Sequence, residues 1–261
     1  MINETGLVSH YTKLEHLENI LAKGRIKFSA VENLEDPRES SLDWIDTVGI
    51  GEEIDTIAWK KARALKESVG SNLKIFCTTQ PELDKDFQDC EIETSIYGKP
   101  RMWAQYGGCF KGFCILLKKN LLIHSINSTK KSKDFIKSGK VRYPSWLHLV
   151  NGGSSIEYGE NIELNSSSLL NTLNSNSIES IYFKKGKDWK NENEYRWIYY
   201  SERDEIFVDI KSSIHSVVLG YKFPRDSWER AIKLCKELNC NCYKLDYQHP
   251  RYKLIEWNKS S

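Results

Sequence analysis

The residues best suited to chemistry are two carboxylates two positions apart, Glu192 and Glu194, with Asn193 between them. In an extended strand, side chains at i and i+2 point the same way, so both carboxylates reach one site. Such a pair can flank a sugar in glycoside hydrolysis. Joined by Asp36 and Glu39, it can offer oxygen ligands to magnesium in a nuclease, although no PD…ExK spacing accompanies it. Arg196, two residues beyond Glu194, offers the plain alternative of a structural ion pair. Cys240-Asn241-Cys242 resembles half a zinc site, but no CxxC or HxxxH supplies the other half. No glycine-rich phosphate loop of the GxGxxG or GxxxxGK[ST] kind is present, which argues against a Rossmann dehydrogenase and a P-loop nucleotidase.

Charge and aromatic rings add a second kind of chemistry. The net charge is +2, too small to argue anything by itself. Its distribution is uneven: Lys118, Lys119, Lys130, Lys131, Lys133, Lys137, Lys140 and Arg142 face a single acid, Asp134, and Lys184, Lys185, Lys187 and Lys190 follow later. Such runs either attract phosphate or form an ordinary solvated face. Tyr182-Phe183-Lys184-Lys185 through Trp189-Lys190 interleaves rings with lysines, as single-strand binders do.

The elements that must position these groups follow from pattern. Residues 6–11 read as a strand. Thr12-Lys13-Leu14-Glu15 has the form of a capping box opening a helix, with Leu14, Leu17, Ile20 and Leu21 as its apolar stripe and Gly24 to end it. Residues 25–28 alternate as a half-buried strand does. A longer helix is expected over 51–68, a strand over 73–77 and a short helix over 101–106, stopped by Gly107-Gly108. Residues 112–117 form an apolar run with little alternation, which predicts a central strand. Asn, Ser and Gly crowd 151–168 and 171–177, which read as loops around a small helix. Strands are expected over 195–200, 206–210 and 216–220, then a helix opened by Pro224 and running to Leu238, then a last strand through Tyr243 and Leu245. There is no regular βαβ period and no repeat. The chain is expected to be α+β, with mixed, largely antiparallel sheets and flanking helices, in one domain over residues 1–261.

Four ordered segments resemble the bacterial family called domain of unknown function 2971. They are His10-Tyr11-Thr12; Asp36-Pro37 with Glu39; Met102-Trp103 with Tyr106, then Lys111-Gly112; and Lys187-Asp188-Trp189 leading to Glu192-Asn193-Glu194-Tyr195-Arg196. Glu35 stands where that family usually has Asn. More distantly, a first strand ending in His-Tyr-Thr and a late Glu-x-Glu beside a strand look like ADP-ribosyltransferases. That likeness implies a corresponding core and NAD as substrate. It implies Glu194 for holding the ribose and Glu192 for preparing the acceptor, with His10 bonding a ribose hydroxyl. Thr12 belongs to the same motif, and Tyr11, Trp103 and Tyr106 offer rings to stack on the ligand. Thr78 and Thr79 would line the pocket, and Arg38 and Arg101 would meet the pyrophosphate. The acceptor is then a macromolecule, protein or nucleic acid (RNA or DNA), and such proteins act as toxins or in phage defence, sometimes with a protein inhibitor. The alternatives are a non-catalytic nucleic-acid-binding module and a metal-dependent nuclease.

Seven cysteines in a chain with no basic-then-apolar leader imply reduced thiols and a cytoplasmic protein. No apolar run nears the roughly 20 residues that a membrane-spanning helix requires.

Overall fold

Val, Ile, Thr and aromatic residues recur along the strand segments, and the structure assembles most of these strands into one large sheet. The structure is a computed structural model, and it describes residues 2–34, 36–42, 56–82, 92–145, 182–249 and 251–257. The strands are β1 (Leu7–Thr12), β2 (Arg25–Lys27), β3 (Ser29–Ala30), β4 (Leu73–Thr79), β5 (Phe113–Lys118), β6 (Phe135–Lys140), β7 (Glu194–Tyr200), β8 (Phe207–Asp209), β9 (Ile214–Leu219), β10 (Asn241–Gln248) and β11 (Arg251–Glu256). The helices are α1 (Pro37–Ser40), α2 (Thr56–Asn72), α3 (Pro100–Gln105), α4 (Lys119–Ser128) and α5 (Trp228–Glu237). The sheet runs β11-β10-β9-β5-β1-β4-β7-β6, with β3 also on β4, while β2 and β8 form a separate ribbon. Among the described strands β9 and β10 pair in parallel and the other pairs are antiparallel. The parallel pair needs a crossover, which α5 supplies. The protein is therefore α+β with a mixed, mostly antiparallel sheet.

β5 is central, as its unbroken apolar run predicts: Phe113 to Leu117 are all buried, between β9 and β1. One face of the sheet carries the largest apolar cluster, with Val8, Phe76, Ile115 and Trp197 packed under Leu17, Leu21, α4 and α5. On the other face Tyr11, Trp103, Tyr97 and Leu245 pack together, and Ile75, Ile198, Tyr182 and Val69 form a third group.

The capping box does not form. Thr12 is the last residue of β1, and Lys13 takes the cap position without a side-chain bond. The expected helix is a 3-10 turn (Leu14–His16) followed by a π-helical turn (Glu18–Ala22). Ile20 and Leu21 are still buried, and Gly24 turns left-handed at the end (φ +63°). Helix α4 and strands β6 and β11 are additions to the sequence reading. β6 and β11 carry several charges at the sheet's edges, and α4 has little amphipathic pattern. Residues 51–55 of the expected longer helix, and the loops at 151–168 and 171–177, lie outside the described residues, as do Glu35 and Cys90.

One irregularity of the sheet matters for function. β1 pairs with β5 at six positions, and β4 pairs with β7 at seven. β1 and β4 meet only at Ser9 and Thr79. Further along, β3 takes over the edge of β4 at Ile75 and Lys74. The sheet is split below Ser9–Thr79, so side chains from both faces can line a single opening.

Candidate functional site

A cleft of about 640 Å³ occupies that split, within the range of roughly 300–1,000 Å³ of small-molecule sites. β1 gives it His10 and Thr12, and β4 gives Phe76, Cys77, Thr78 and Thr79. Gln105 and Tyr106 come from the end of α3, and Asp36 and Glu39 from the start of α1.

Glu192 and Glu194 reach the cleft by an unexpected route. Glu192 ends a 3-10 helix (Lys187–Glu192), Asn193 is left-handed (φ 43°), and only Glu194 lies in β7. The Asn193 side chain donates to the Gln80 carbonyl at 2.7 Å, and the Gln80 amide donates back to the Asn193 carbonyl at 3.0 Å. This brace sets the turn against the end of β4. The two carboxylates therefore do not share a strand face, yet they converge on one cation, Lys185. Its Nζ lies 3.0 Å from Glu192 Oε2 and 3.1 Å from Glu194 Oε2. Arg196 grips Glu194 with two bonds, Nε to Oε1 at 2.6 Å and an Nη to Oε2 at 2.8 Å. It also donates to Glu39 Oε1 and to the Tyr182 carbonyl, both at 2.6 Å. The Tyr106 hydroxyl donates to Glu192 Oε1 at 2.7 Å.

All five charged groups are buried, Arg196 completely. Three carboxylates against two cations leave one formal negative charge (−3 + 2 = −1) in this cluster. Burial would push the Glu194 carboxyl up, but Arg196 and Lys185 outweigh it and hold the group at about 2. For Glu39 burial prevails over Arg196 and Lys185, and its carboxyl is raised. Glu39 is thus where the excess charge is most readily relieved by a proton. Arg196 and Lys185 pair with these acids, and among the described residues no group of three or more His, Cys, Asp or Glu side chains is placed to hold a metal. Cys240 and Cys242 are buried, Cys240 just before β10 and Cys242 within it.

His10 sits where the β1–β4 ladder lapses. Its Nδ1 lies 3.0 Å from the Cys77 carbonyl. A carbonyl can only accept, so Nδ1 carries the proton and the neutral ring presents Nε2 as an acceptor. Burial lowers the imidazole below its ordinary value, more than the Cys77 bond raises it.

The other expected ligand contacts divide. Tyr106, Thr12, Thr78 and Thr79 line the cleft, and the Thr78 hydroxyl donates to the Tyr195 carbonyl at 2.9 Å. Trp103 does not line the cleft. It is wholly buried, donates its indole N–H to the Tyr97 carbonyl and meets Tyr11 edge-on at 5.2 Å. Tyr11 is itself buried, its hydroxyl donating to the Ile96 carbonyl. Tyr11 is nonetheless one of the lining residues of the cleft, while its ring and that of Trp103 pack in the second apolar cluster. Arg101 is exposed and bonds the Asp188 carbonyl outside the cleft. Arg38 lies in α1, and its side chain is outside the described residues.

Sequence reasoning placed Lys185 among surface lysines, whereas it is buried between two glutamates. Nothing in its local sequence marks it off from Lys184, Lys187 and Lys190. Cys77 and Arg25, both lining the cleft, had no signal in the sequence.

A family model described as Protein of unknown function (DUF2971) matches residues 102–197. The matched range holds Met102, Tyr106, Gly112, Lys185, Glu192, Glu194 and Arg196, and supports the resemblance read from those segments. His10, Asp36 and Glu39 lie outside it. No curated protein and no solved structure matches the chain. No described helix is long and apolar enough to cross a membrane.

Proposed function

We propose that the chain is an ADP-ribosyltransferase-like enzyme that takes NAD into the split between β1 and β4 and transfers ADP-ribose to a macromolecule. The observation that supports this most is the excess negative charge of the Glu39, Glu192 and Glu194 cluster on the wall of a cleft that also holds the Nε2 acceptor of His10. In the reaction the bond between ribose C1′ and the nicotinamide nitrogen breaks. The electron pair leaves with the nicotinamide, and positive charge develops on the sugar. Fixed carboxylates in a partly dry site stabilise that charge without reorganising. Glu194, clamped by Arg196, supplies a stationary charge. Glu192, held by Tyr106 and Lys185, takes the proton of the acceptor as it attacks C1′. His10 Nε2 accepts from a ribose hydroxyl.

The test is nicotinamide release from NAD, with and without cell RNA, DNA and lysate, alongside NAD binding by calorimetry. Glu192→Gln is expected to cut release by about 100-fold or more with NAD affinity kept within a few-fold. His10→Ala is expected to weaken binding. A wild type that neither binds NAD nor releases nicotinamide with any acceptor sinks the proposal.

The second reading, a nucleic-acid-binding module, draws on Lys130, Lys131, Lys133, Lys140, Lys187 and Lys190, which are all exposed. The bridge between Arg142 and Lys184 brings the two basic runs side by side. RNA binding that weakens steeply with salt and survives Glu192→Gln would favour it.

A further inference from the structure

Arg25 opens β2 and lines the cleft. Its guanidinium carbon lies 4.2 Å from the centre of the Phe207 ring, a contact that fixes the plane of the group. Its Nε is buried and has no hydrogen-bond partner among the described residues. A buried donor left without a partner costs about 1–3 kcal/mol, so an acceptor that reached Arg25 Nε, from water or from a ligand, would relieve that cost.

The surroundings specify what would bind. Lys13, Lys23 and Lys27 line the same cleft, with Glu205 as the carboxylate beside Lys27 and Arg25. Lys27 holds Glu205 at 2.6 Å, and the Lys23 ammonium also donates to Asn19. His16 lines this part of the cleft too and lies 3.5 Å from Glu15. Four cations against one carboxylate give a formal +3 (4 − 1). The negative cluster joins the cleft from β7 and α1. Glu194 is level with Thr79 on β4, and Ser29, two residues past β2, is level with Ile75. Four residues of strand separate those levels by roughly 13 Å. The lining thus holds both a net-negative glutamate cluster and a net-positive set on the segments around β2 and after β1, which suits a ligand that carries phosphate together with a cationic or cation-forming group.

We propose that Arg25, with Lys13 and Lys23, forms a subsite for the phosphoanhydride of a nucleotide. This rests on the NAD reading for the identity of the whole ligand, and of the two arginines expected at the pyrophosphate it replaces Arg101, which faces solvent, with Arg25. The Nε and an Nη of one guanidinium edge match two phosphate oxygens, and the lysines add unoriented charge.

Calorimetry with ADP, ADP-ribose, NAD and uncharged adenosine tests it on wild type, Arg25→Ala, Arg25→Lys and the double variant Lys13→Ala/Lys23→Ala. Melting temperatures without ligand report folding. Arg25→Ala is expected to weaken ADP and NAD by about 10- to 100-fold and leave adenosine unchanged, with Arg25→Lys recovering part. The double variant, altered only at exposed positions, is expected to weaken ADP and flatten its salt dependence. Unchanged ADP affinity in folded Arg25→Ala, or in the double variant if Arg25→Ala does not fold, overturns the subsite. So does a wild type that binds none of the three phosphate ligands. Arg25-dependent ADP binding without nicotinamide release keeps the subsite and removes the transferase. Nicotinamide release with NAD affinity indifferent to Arg25 does the reverse.

Discussion

At the scale of the residue, Arg196 organises the glutamate cluster of the cleft. It is completely buried and contacts both Glu194 and Glu39. Removing one partner of a buried pair strands the other, at a cost of roughly 3–5 kcal/mol, whereas replacing both with apolar groups is far less damaging. Arg196→Met is therefore expected to lose about that much in denaturant titration, and adding Glu194→Leu to recover part of it. If Arg196→Met costs nothing, the cluster is not the anchor described above. The pH dependence carries a sign. The Glu194 carboxyl lies at about 2 in the fold against an ordinary 4.5. Its contribution is complete above about pH 4.5 and is lost as pH falls toward 2. Glu39 is raised by burial and works in the opposite sense, contributing less as pH rises past its ordinary value. The Glu194 shift by itself lowers stability by on the order of 3 kcal/mol between pH 4.5 and 2, and Glu39 opposes it. The same titration of a Glu194→Leu/Arg196→Met protein should be flatter.

At the scale of the element, the cleft depends on how tightly the turn after α3 sits on the end of β1. A Cβ placed on Gly112 would lie 2.1 Å from the Thr12 carbonyl oxygen and 3.0 Å from Lys13 Cα. Both neighbours are backbone, so neither can rotate away. Gly108, Cys109 and Phe110 are all left-handed (φ 55°, 53° and 68°), a strained run held by the Gly112 amide bonding the Gly107 carbonyl at 2.9 Å. Gly112→Ala is expected to destabilise the fold by more than about 2 kcal/mol, beyond any gain from restricting the unfolded chain. It should also weaken ligand binding, because Thr12, Lys13 and Tyr106 line the cleft from either side of the contact. A Gly112→Ala protein with unchanged melting temperature would mean that β1 and this turn move apart freely.

At the scale of the whole molecule, a ligand in the cleft would touch elements from distant parts of the chain. The ribbon of β2 and β8, the segment after β1, β4 and the start of β7 all face one cleft. A ligand that binds only the folded state at 100 times its Kd adds about 2.7 kcal/mol. For a chain of this size each kcal/mol shifts Tm by about 2–4 °C. NAD at that concentration is expected to raise Tm by about 5–10 °C. RNA that raises Tm at low salt, with NAD giving no shift, would move the proposal to the nucleic-acid reading.

The sequence by itself determined the elements whose own residues suffice to specify them. β5 is central because its residues are apolar on both faces. β1, β4 and β7 were legible from β-branched and aromatic residues, and Gly24 from its place after the apolar stripe. His10, Tyr106, Glu192 and Glu194 were recognisable from local motifs, and they do line one cleft. Tertiary structure decided everything that depended on partners distant in the chain. That the rings of Tyr11 and Trp103 pack into one apolar cluster depends on contacts across α3, β1 and β5. Thr12 could have capped a helix, but six ladder positions with β5 claimed it for β1. Lys185 reads as a surface lysine until Glu192 and Glu194 close over it. Arg25 carries no motif; its orphaned Nε exists only because Phe207 and the walls of the cleft bury it. Local patterns encode which face of an element is apolar, whereas buried charge has to be balanced by groups that only the folded chain brings together.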